Sequence, residues 1–350
     1  MIDRLIVAPP EFQIYRDEHG NRLPRPFGLP ICLLFTYLCN TSAGYDLFRK
    51  PAFNTAMKTL LDSWGLYLTT KDSAKLLTDC EGGWFSEEAL QEFESDSRGK
   101  FEETYVCPDP DAVNRGFSSW DAFFTREVQP NARPVEAPDD KSVIHNPCES
   151  YLHCIARDVK CHDLFWLKGN IYSLYDMLNR DHKLAKQFVG GTIYQGFLSP
   201  VDYHRWRSPV DGTIKKTEIV AGTYYAALPD AGAPEGNQYQ AAGDLRGALK
   251  RSQTWLAMVA ARALVYIEAD NPDIGLVCFI AVGMVEVSTC EVTVKRGQKV
   301  SAGSELGMFH FGGSSFVLVF GPQACITFPE DVVLGKHVKL NSILARVHKA

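Results

Sequence analysis

Five stretches in the second half of the chain constrain its fold most. "GGTIYQGFL" (190–198), "GTIKKTEIV" (212–220), "ALVYIEAD" (263–270), "IGLVCFIAVGMVEV" (274–287) and "CEVTVKRGQKV" (290–300) are rich in Val, Ile, Thr and Tyr and punctuated by glycine. Such residues fit a pleated, half-buried surface, so each stretch predicts a strand. The first hundred residues have another period. Phe53, Met57, Leu60, Leu61 and Trp64 recur at the three-and-four spacing of an amphipathic helix. Asn54 or Thr55 suits its start and Gly65 its end. "SEEALQEFESD" (86–96) predicts a second helix, with Ser86 as cap and acids in its first turn. "FSSWDAFFTRE" (117–127) and "IYSLYDMLN" (171–179) predict shorter ones. Helices first and strands later imply an α+β chain of two units. We divide it into an extended arm (1–30, with five of the 19 prolines), a helical domain (31–108) and a mainly β domain (109–350).

Function classes narrow next. The formal net charge of −6 gives no global electrostatic reason to bind nucleic acid or an anionic membrane. The N-terminus lacks the pattern of a signal or transit peptide. "ICLLFTYLC" (31–39) falls well short of the roughly 20 residues that span a bilayer. We therefore expect a soluble, cytoplasmic protein with no stable membrane anchor and no nucleic-acid partner. The ten cysteines include no CxxC pair and read as reduced, mostly buried thiols. In "HCIARDVKCH" (153–162) the Cys–Cys spacing fits no common zinc pattern, so no metal is expected. "VTVKRGQKVSAGSELGMF" sets Gly297, Val300, Gly303, Leu306, Gly307 and Phe309 at short intervals, the grammar of a compact β-barrel hairpin. It resembles a half-motif of biotinyl and lipoyl carrier domains. Lys295 and Lys299 lack the context of a carrier lysine, so the likeness is one of shape.

"GMFHFGGSSFVLVF" (307–320) carries chemistry as well as a turn signal. Strand interiors disfavour glycine, yet Gly312, Gly313, Ser314 and Ser315 divide two apolar runs. A serine after glycine in a constrained turn can attack its own backbone. The Ser314 hydroxyl adds to the Gly313 carbonyl, which has no Cβ to shield it, and an ester forms by N-to-O acyl shift. Elimination breaks the ester and leaves dehydroalanine; hydrolysis then yields a pyruvoyl group. That carbonyl forms a Schiff base with an amine and acts as an electron sink, so an amino acid loses its α-carboxylate without pyridoxal phosphate. Alone, the tetrapeptide is weak evidence, because most such tetrapeptides are plain turns or linkers.

Its company decides. "ELGMFHFGGSSFVLVF" resembles the processing segment of the phosphatidylserine decarboxylase family. "FSSWDAFFTRE...ARPV", "VIHNPCESYLH" (143–153), "LKGNIYSLYDML", "FLSPVDYHRWRSPVDGTI" (197–214) and "VAGTYY" (220–225) resemble further family segments in the right order. The resemblance covers about residues 117–350. It implies self-cleavage between Gly313 and Ser314, giving a β chain (1–313) and an α chain (314–350) that carries the pyruvoyl cofactor derived from Ser314. It also implies an acid–histidine–serine relay. The acid falls on Glu149, where the family has aspartate. The first histidine of the family's Y-H-R-x-H falls on His204 and the second on Arg207, and an arginine cannot be a general base. Three readings stay open. His204 serves both processing and later protonation; or His310, four residues before Ser314, assists; or processing is absent. Arg207 is also a candidate for the substrate carboxylate, which a tight ionic clamp serves poorly because it stabilises the ground state. Ser315 and Gly312 read as supporting residues. Tyr203 and Trp206 flank His204 and read as walls of an aromatic pocket or as core.

The first hundred residues resemble a different part of the family. "NTSAGYDLF", "LLDSWGLYLTTKDSAKLL" and "GWFSEEAL" resemble a fungal subgroup of tryptophan decarboxylases. That implies a small-molecule substrate, a free aromatic amino acid with L-tryptophan foremost. The alternative within the chemistry is phosphatidylserine, giving phosphatidylethanolamine. The alternative from another class is an unprocessed, catalytically silent binding protein, which Arg207 favours. Family habit also makes a homo-oligomer an expectation.

Overall fold

The computed structural model describes residues 2–12, 15–16, 22–23, 30–96, 98–162, 172–235, 242–244, 247–286, 288–311 and 314–349. The expected arm therefore lies partly outside the described residues. Within it stand helix α1 (Ile2–Leu5) and the paired strands β1 (Tyr15–Arg16) and β2 (Arg22–Leu23). A helical layer follows: α2 (Pro30–Cys39), α3 (Ser42–Phe48), α4 (Pro51–Leu68), α5 (Glu87–Phe93), α6 (Phe101–Thr104) and α7 (Trp120–Phe124).

Local chemistry explains these helices. Pro51 opens α4, where its missing N–H needs no partner. Leu61, Trp64 and Leu68 then form its buried face. The helix runs one turn past Gly65, which the sequence suggested as its end. A Cβ at Gly65 would meet nothing within 4 Å, so the residue faces open space. A glycine there costs about 1 kcal/mol, and burial of Leu68 on the next turn outweighs it. Ser86 caps α5 by accepting the Ala89 N–H, and Ser119 caps α7 by accepting that of Ala122.

The strands are β3 (Val143–His145), β4 (Ser150–Arg157), β5 (Thr192–Leu198), β6 (Arg205–Arg207), β7 (Gly212–Val220), β8 (Arg262–Ala269) and β9 (Leu276–Val282). They continue with β10 (Thr289–Val292), β11 (Lys299–Val300), β12 (Glu305–His310), β13 (Ser314–Phe320), β14 (Cys325–Thr327), β15 (His337–Val338) and β16 (Ile343–His348). The four helices α8 (Leu174–Met177), α9 (His182–Phe188), α10 (Ala248–Arg251) and α11 (Gln253–Val259) interrupt them. Among the described residues, eight strands form one antiparallel sheet in the order β11-β7-β8-β9-β13-β5-β4-β15. Two three-stranded sheets, β10-β12-β6 and β14-β16-β3, accompany it.

This is the expected mixture of helix and sheet, with one correction. The hairpin segment does not build a barrel. Its first and last strands, β10 and β12, pair with each other in a small sheet, while β11 joins the edge of the large sheet through β7. No sheet of the described residues closes on itself.

Strand β13 sits deepest. Every residue from Ser314 to Phe320 is buried, between β5 on one side and β9 on the other. Coverage on both faces explains why "FVLVF" is continuously apolar rather than alternating. Gly196 lies opposite Phe316, and a Cβ there would come within 2.5 Å of the Phe316 ring. The helical layer meets this region at Phe311, whose ring packs edge-on against Trp64 (4.6 Å) and Trp120 (4.7 Å). No helix among the described residues is long and apolar enough to cross a membrane.

Candidate active site

Ser314 opens β13, and His204 lies on the short connection from β5 to β6. That connection is built as a turn: Ser199 donates its N–H to the Asp202 carboxylate (2.6 Å), and the Asp202 N–H returns to the Ser199 carbonyl (2.9 Å). The His204 carbonyl then accepts the Phe309 N–H (3.0 Å), which ties the turn to β12 just before the glycine pair. The result brings His204 Nδ1 to 3.3 Å from Ser314 Oγ, with both residues 0% exposed.

The surroundings of His204 decide its charge. Phe124 stacks on the imidazole at 4.3 Å, and Phe309 meets it edge-on. Burial drives its pKa down to about 3; the Asp202 carboxylate opposes that shift and the Arg126 guanidinium adds to it. The ring is therefore neutral at ordinary pH, and one nitrogen is free to accept a proton. Its Nε2 has no partner among the described residues.

Three residues before Ser314, the backbone is strained at Phe311. Phe311 has φ of 51°, a left-handed conformation that a bulky aromatic residue rarely adopts. Three aromatic neighbours (Trp64, Trp120 and Phe124) hold it there. Gly312 and Gly313 lie outside the described residues.

Glu149 belongs to a second, adjoining cluster. It is fully buried, and its Oε1 accepts from Arg133 Nε. Its Oε2 lies 3.5 Å from His337 Nε2, and that nitrogen is 3.1 Å from the Asp202 carboxylate. Asp202 in turn accepts from Arg98 Nε at 2.7 Å, and Arg98 also donates to the Tyr151 hydroxyl at 2.8 Å. Burial alone would raise the Asp202 carboxyl; Arg98 and His337 outweigh it and hold the group well below the usual carboxylate range. Two carboxylates and two guanidiniums are thus buried together, with His337 bridging the two acids.

The other sequence candidates divide. Ser315 is fully buried beside Ser314, and its hydroxyl has no partner among the described residues. His310 does not reach Ser314 by any hydrogen bond among the described residues. Its Nδ1 lies 2.9 Å from Asp121 and its Nε2 2.9 Å from Glu291. Burial lowers its pKa, but the two carboxylates outweigh that and raise it above the ordinary value. Arg207 donates to the Tyr203 hydroxyl at 2.7 Å and approaches Glu305 at 3.8 Å. Tyr203 and Trp206 are fully buried, Trp206 between Phe279 and Phe309.

Sequence reasoning missed Arg98, Arg133, Asp202 and His337. Asp202 and Arg133 stood inside quoted motifs, two residues from His204 and in "ARPV". Arg98 and His337 carried no local signal. The "HCIARDVKCH" reading also lacked a partner: Cys161 and His162 meet His182, with ligand atoms within 4.8 Å of one another, rather than His153 and Cys154.

Comparison with known proteins identifies the sequence family. The sequence model of phosphatidylserine decarboxylase matches residues 120–346, and a second phosphatidylserine decarboxylase model matches residues 1–93. An L-tryptophan decarboxylase of Psilocybe cubensis is 40% identical over 83% of this chain and 67% of its own length. One of Psilocybe cyanescens is 39% identical over 92% of this chain and 74% of its own length. A phosphatidylserine decarboxylase proenzyme of Chlamydia muridarum is 29% identical over 62% of this chain and 64% of its own. With one model spanning more than half of the residues and such relatives aligned along most of the rest, the chain belongs to the phosphatidylserine decarboxylase family.

Proposed function

We propose that this chain is a self-processing, pyruvoyl-dependent carboxy-lyase that removes the α-carboxylate of a free aromatic amino acid, L-tryptophan foremost. The observation that carries the reading is the buried contact between Ser314 Oγ and a neutral His204. The two Psilocybe relatives, both L-tryptophan decarboxylases, support the substrate.

His204 is the base. It takes the Ser314 hydroxyl proton as the oxygen attacks the carbonyl of residue 313, and the peptide bond becomes an ester. Loss of the Ser314 α-proton expels the residue-313 carboxylate and leaves dehydroalanine. One water then replaces the nitrogen, which leaves as ammonia, so the new chain begins at a pyruvoyl group. Phe311, three residues before Ser314, holds a left-handed backbone of the kind that stores strain near reacting groups. His310 is not the base, because both its nitrogens face carboxylates. Arg207 does not stand in for the missing histidine, since its contacts go to Tyr203 and Glu305.

The surroundings of residue 314 fit a pyruvoyl group. The Ser315 hydroxyl is buried without a partner and suits a carbonyl acceptor beside it. His204 Nδ1 already faces the Ser314 side chain, and its Nε2 is free of other bonds. Such a group supplies an electrophilic carbonyl that captures an amine and withdraws the electrons left when CO₂ departs. After processing, the neutral His204 ring stays beside residue 314, where its own N–H can be relayed to the substrate carbon. The Glu149–Arg133–His337–Asp202 cluster positions the His204 turn through Asp202.

The test is release of CO₂ from L-tryptophan by purified protein, set against phosphatidylserine in liposomes. Turnover of tryptophan alone supports the reading. Turnover of the lipid alone replaces the substrate, and no turnover by an intact chain favours a silent binding protein.

A further inference from the structure

Where β4 ends, the chain turns at Asp158 (φ 53°) and is then fixed from two directions. Val159 donates its N–H to the Gly191 carbonyl (3.2 Å) and accepts that of Gly190 (2.8 Å). The Lys160 carbonyl accepts the Leu174 N–H (3.2 Å); the Cys161 carbonyl accepts the Tyr175 N–H (2.9 Å) and the Ser173 hydroxyl (3.4 Å). Cys161 and His162 are therefore held against the first turn of α8. Helix α9 comes back to the same place. Asn179 (φ 53°) and Arg180 (φ 61°) take the left-handed backbone of a sharp reversal, and the Arg180 N–H bonds the Tyr175 carbonyl (2.7 Å). Asp181 then caps α9 by accepting the Lys183 and Leu184 N–H groups, so the helix starts at His182.

Three ligand-bearing side chains meet there. Cys161 Sγ and one ring nitrogen each of His162 and His182 lie within 4.8 Å of one another, the thiol half-buried and both imidazoles exposed. The Tyr175 ring walls the cluster, 4.7 Å from the His162 ring and 6.4 Å from that of His182. A tetrahedral zinc ion, with bonds of about 2.3 Å to sulfur and about 2.0–2.1 Å to nitrogen, wants those atoms about 3.3–3.6 Å apart. Rotation of the two exposed imidazoles is enough to close that difference, with the backbone left in place. The sequence showed no zinc pattern because its spacing was counted from Cys154 to Cys161. The third ligand comes instead from α9, outside that motif.

We propose that Cys161, His162 and His182 form a zinc site that clips the exit of β4 to the α8–α9 pair. One thiolate and two imidazoles are a donor set for a borderline-soft, four-coordinate ion, with a water completing the shell. As the zinc–sulfur bond forms, the thiol proton passes to solvent, so binding releases a proton. The role is structural. Val159 bonds Gly191, and the neighbouring Thr192 pairs with Phe320, at the end of β13 remote from Ser314. The ion ties together segments that the unfolded chain keeps apart, and its binding energy adds to the stability of the fold. The assignment does not depend on the decarboxylation proposed above.

The experiment titrates the full chain, stripped of metal and kept reduced with a phosphine, with Co²⁺ as a coloured stand-in for zinc. A single equivalent per chain should give the sulfur-to-cobalt charge-transfer band in the near ultraviolet and the strong visible bands of a four-coordinate ion. Added Zn²⁺ should displace them. Cys161→Ser should abolish the charge-transfer band, and Cys154→Ser should leave it unchanged. In competition with a chelating dye, His182→Gln should weaken zinc at least about tenfold, the lower end of what even an outer-shell change costs. Zinc at about 100 times its Kd should raise the Tm of wild type by about 3 °C, and that of Cys161→Ser by none. A wild type without the charge-transfer band, a band that survives Cys161→Ser, or one lost with Cys154→Ser overturns the site. Zinc binding that leaves the wild-type Tm unmoved overturns the clip. Should Cys161→Ser fail to fold, the wild-type band and the loss in His182→Gln, a change at an exposed residue, decide the matter.

Discussion

Ser314 Oγ and His204 Nδ1 lie 3.3 Å apart in a site closed to solvent, although 110 positions separate them in the chain. The pairing follows from the sheet. Ser314 pairs with Leu198 across β13 and β5, and the turn that begins at Ser199 delivers His204 back over the serine. Two segments that the sequence keeps far apart, the His204 motif and the start of β13, are thereby brought into contact.

Removing the proposed base tests the role given to this contact. His204→Ala should slow self-cleavage by about 10²–10⁴-fold, the usual worth of a positioned base. Intact mass of the freshly purified variant should show the full-length chain. His310→Gln should still cleave, because its nitrogens face Asp121 and Glu291 rather than the serine.

Arg207 separates the enzyme from a silent binding protein. Its guanidinium engages Tyr203 and Glu305, not Ser314 or His204. Arg207→Ala should therefore cleave and decarboxylate within about threefold of wild type, a change near the size of one modest hydrogen bond. Progress curves by gel and CO₂ release measure it.

The pH profile of processing follows from the depressed His204 pKa. A lowered value means that the base stays unprotonated as pH falls through 6.5 and charges only near 3. The cleavage rate, followed by mass in stopped samples, should be flat between pH 5 and 8. An ordinary histidine would lose tenfold or more over the lower part of that range. Stability has the opposite dependence: below about 6.5 the unfolded state binds a proton that folded His204 does not, so acidification destabilises the fold. Asp202, whose folded pKa is lowered, adds stability above its unfolded value near 4 that is lost on further acidification.

The buried ion cluster predicts a stability effect. Asp202→Asn leaves Arg98 without its carboxylate partner and weakens the bond to His337. Loss of one member of a buried pair costs about 3–5 kcal/mol. Thermal melts should register the loss, and processing should slow because the turn holding His204 loosens.

The sequence made much of the framework legible. The β-branched runs at 212–220 and 263–270 became β7 and β8 almost residue for residue, because side-chain shape and burial act locally along a strand. Helix α4 runs past Gly65 because burial of Leu68 on the next turn outweighs the cost of a glycine whose missing side chain leaves no packing gap. The barrel reading failed because β11 has the choice of two edges and takes that of β7, a tertiary decision absent from the hairpin's own residues. Within the site, Ser314 and His204 were visible through motifs. Arg98 and His337 were not: their partners lie 104 and 135 positions away, and no periodicity links them.

Intact mass of the purified, denatured chain tests the central claim most directly. The account predicts two fragments divided between residues 313 and 314, the smaller bearing a carbonyl in place of its N-terminal amine. A single full-length mass that persists on prolonged incubation would contradict it, and Ser314 and His204 would then be a buried hydrogen bond without a reaction.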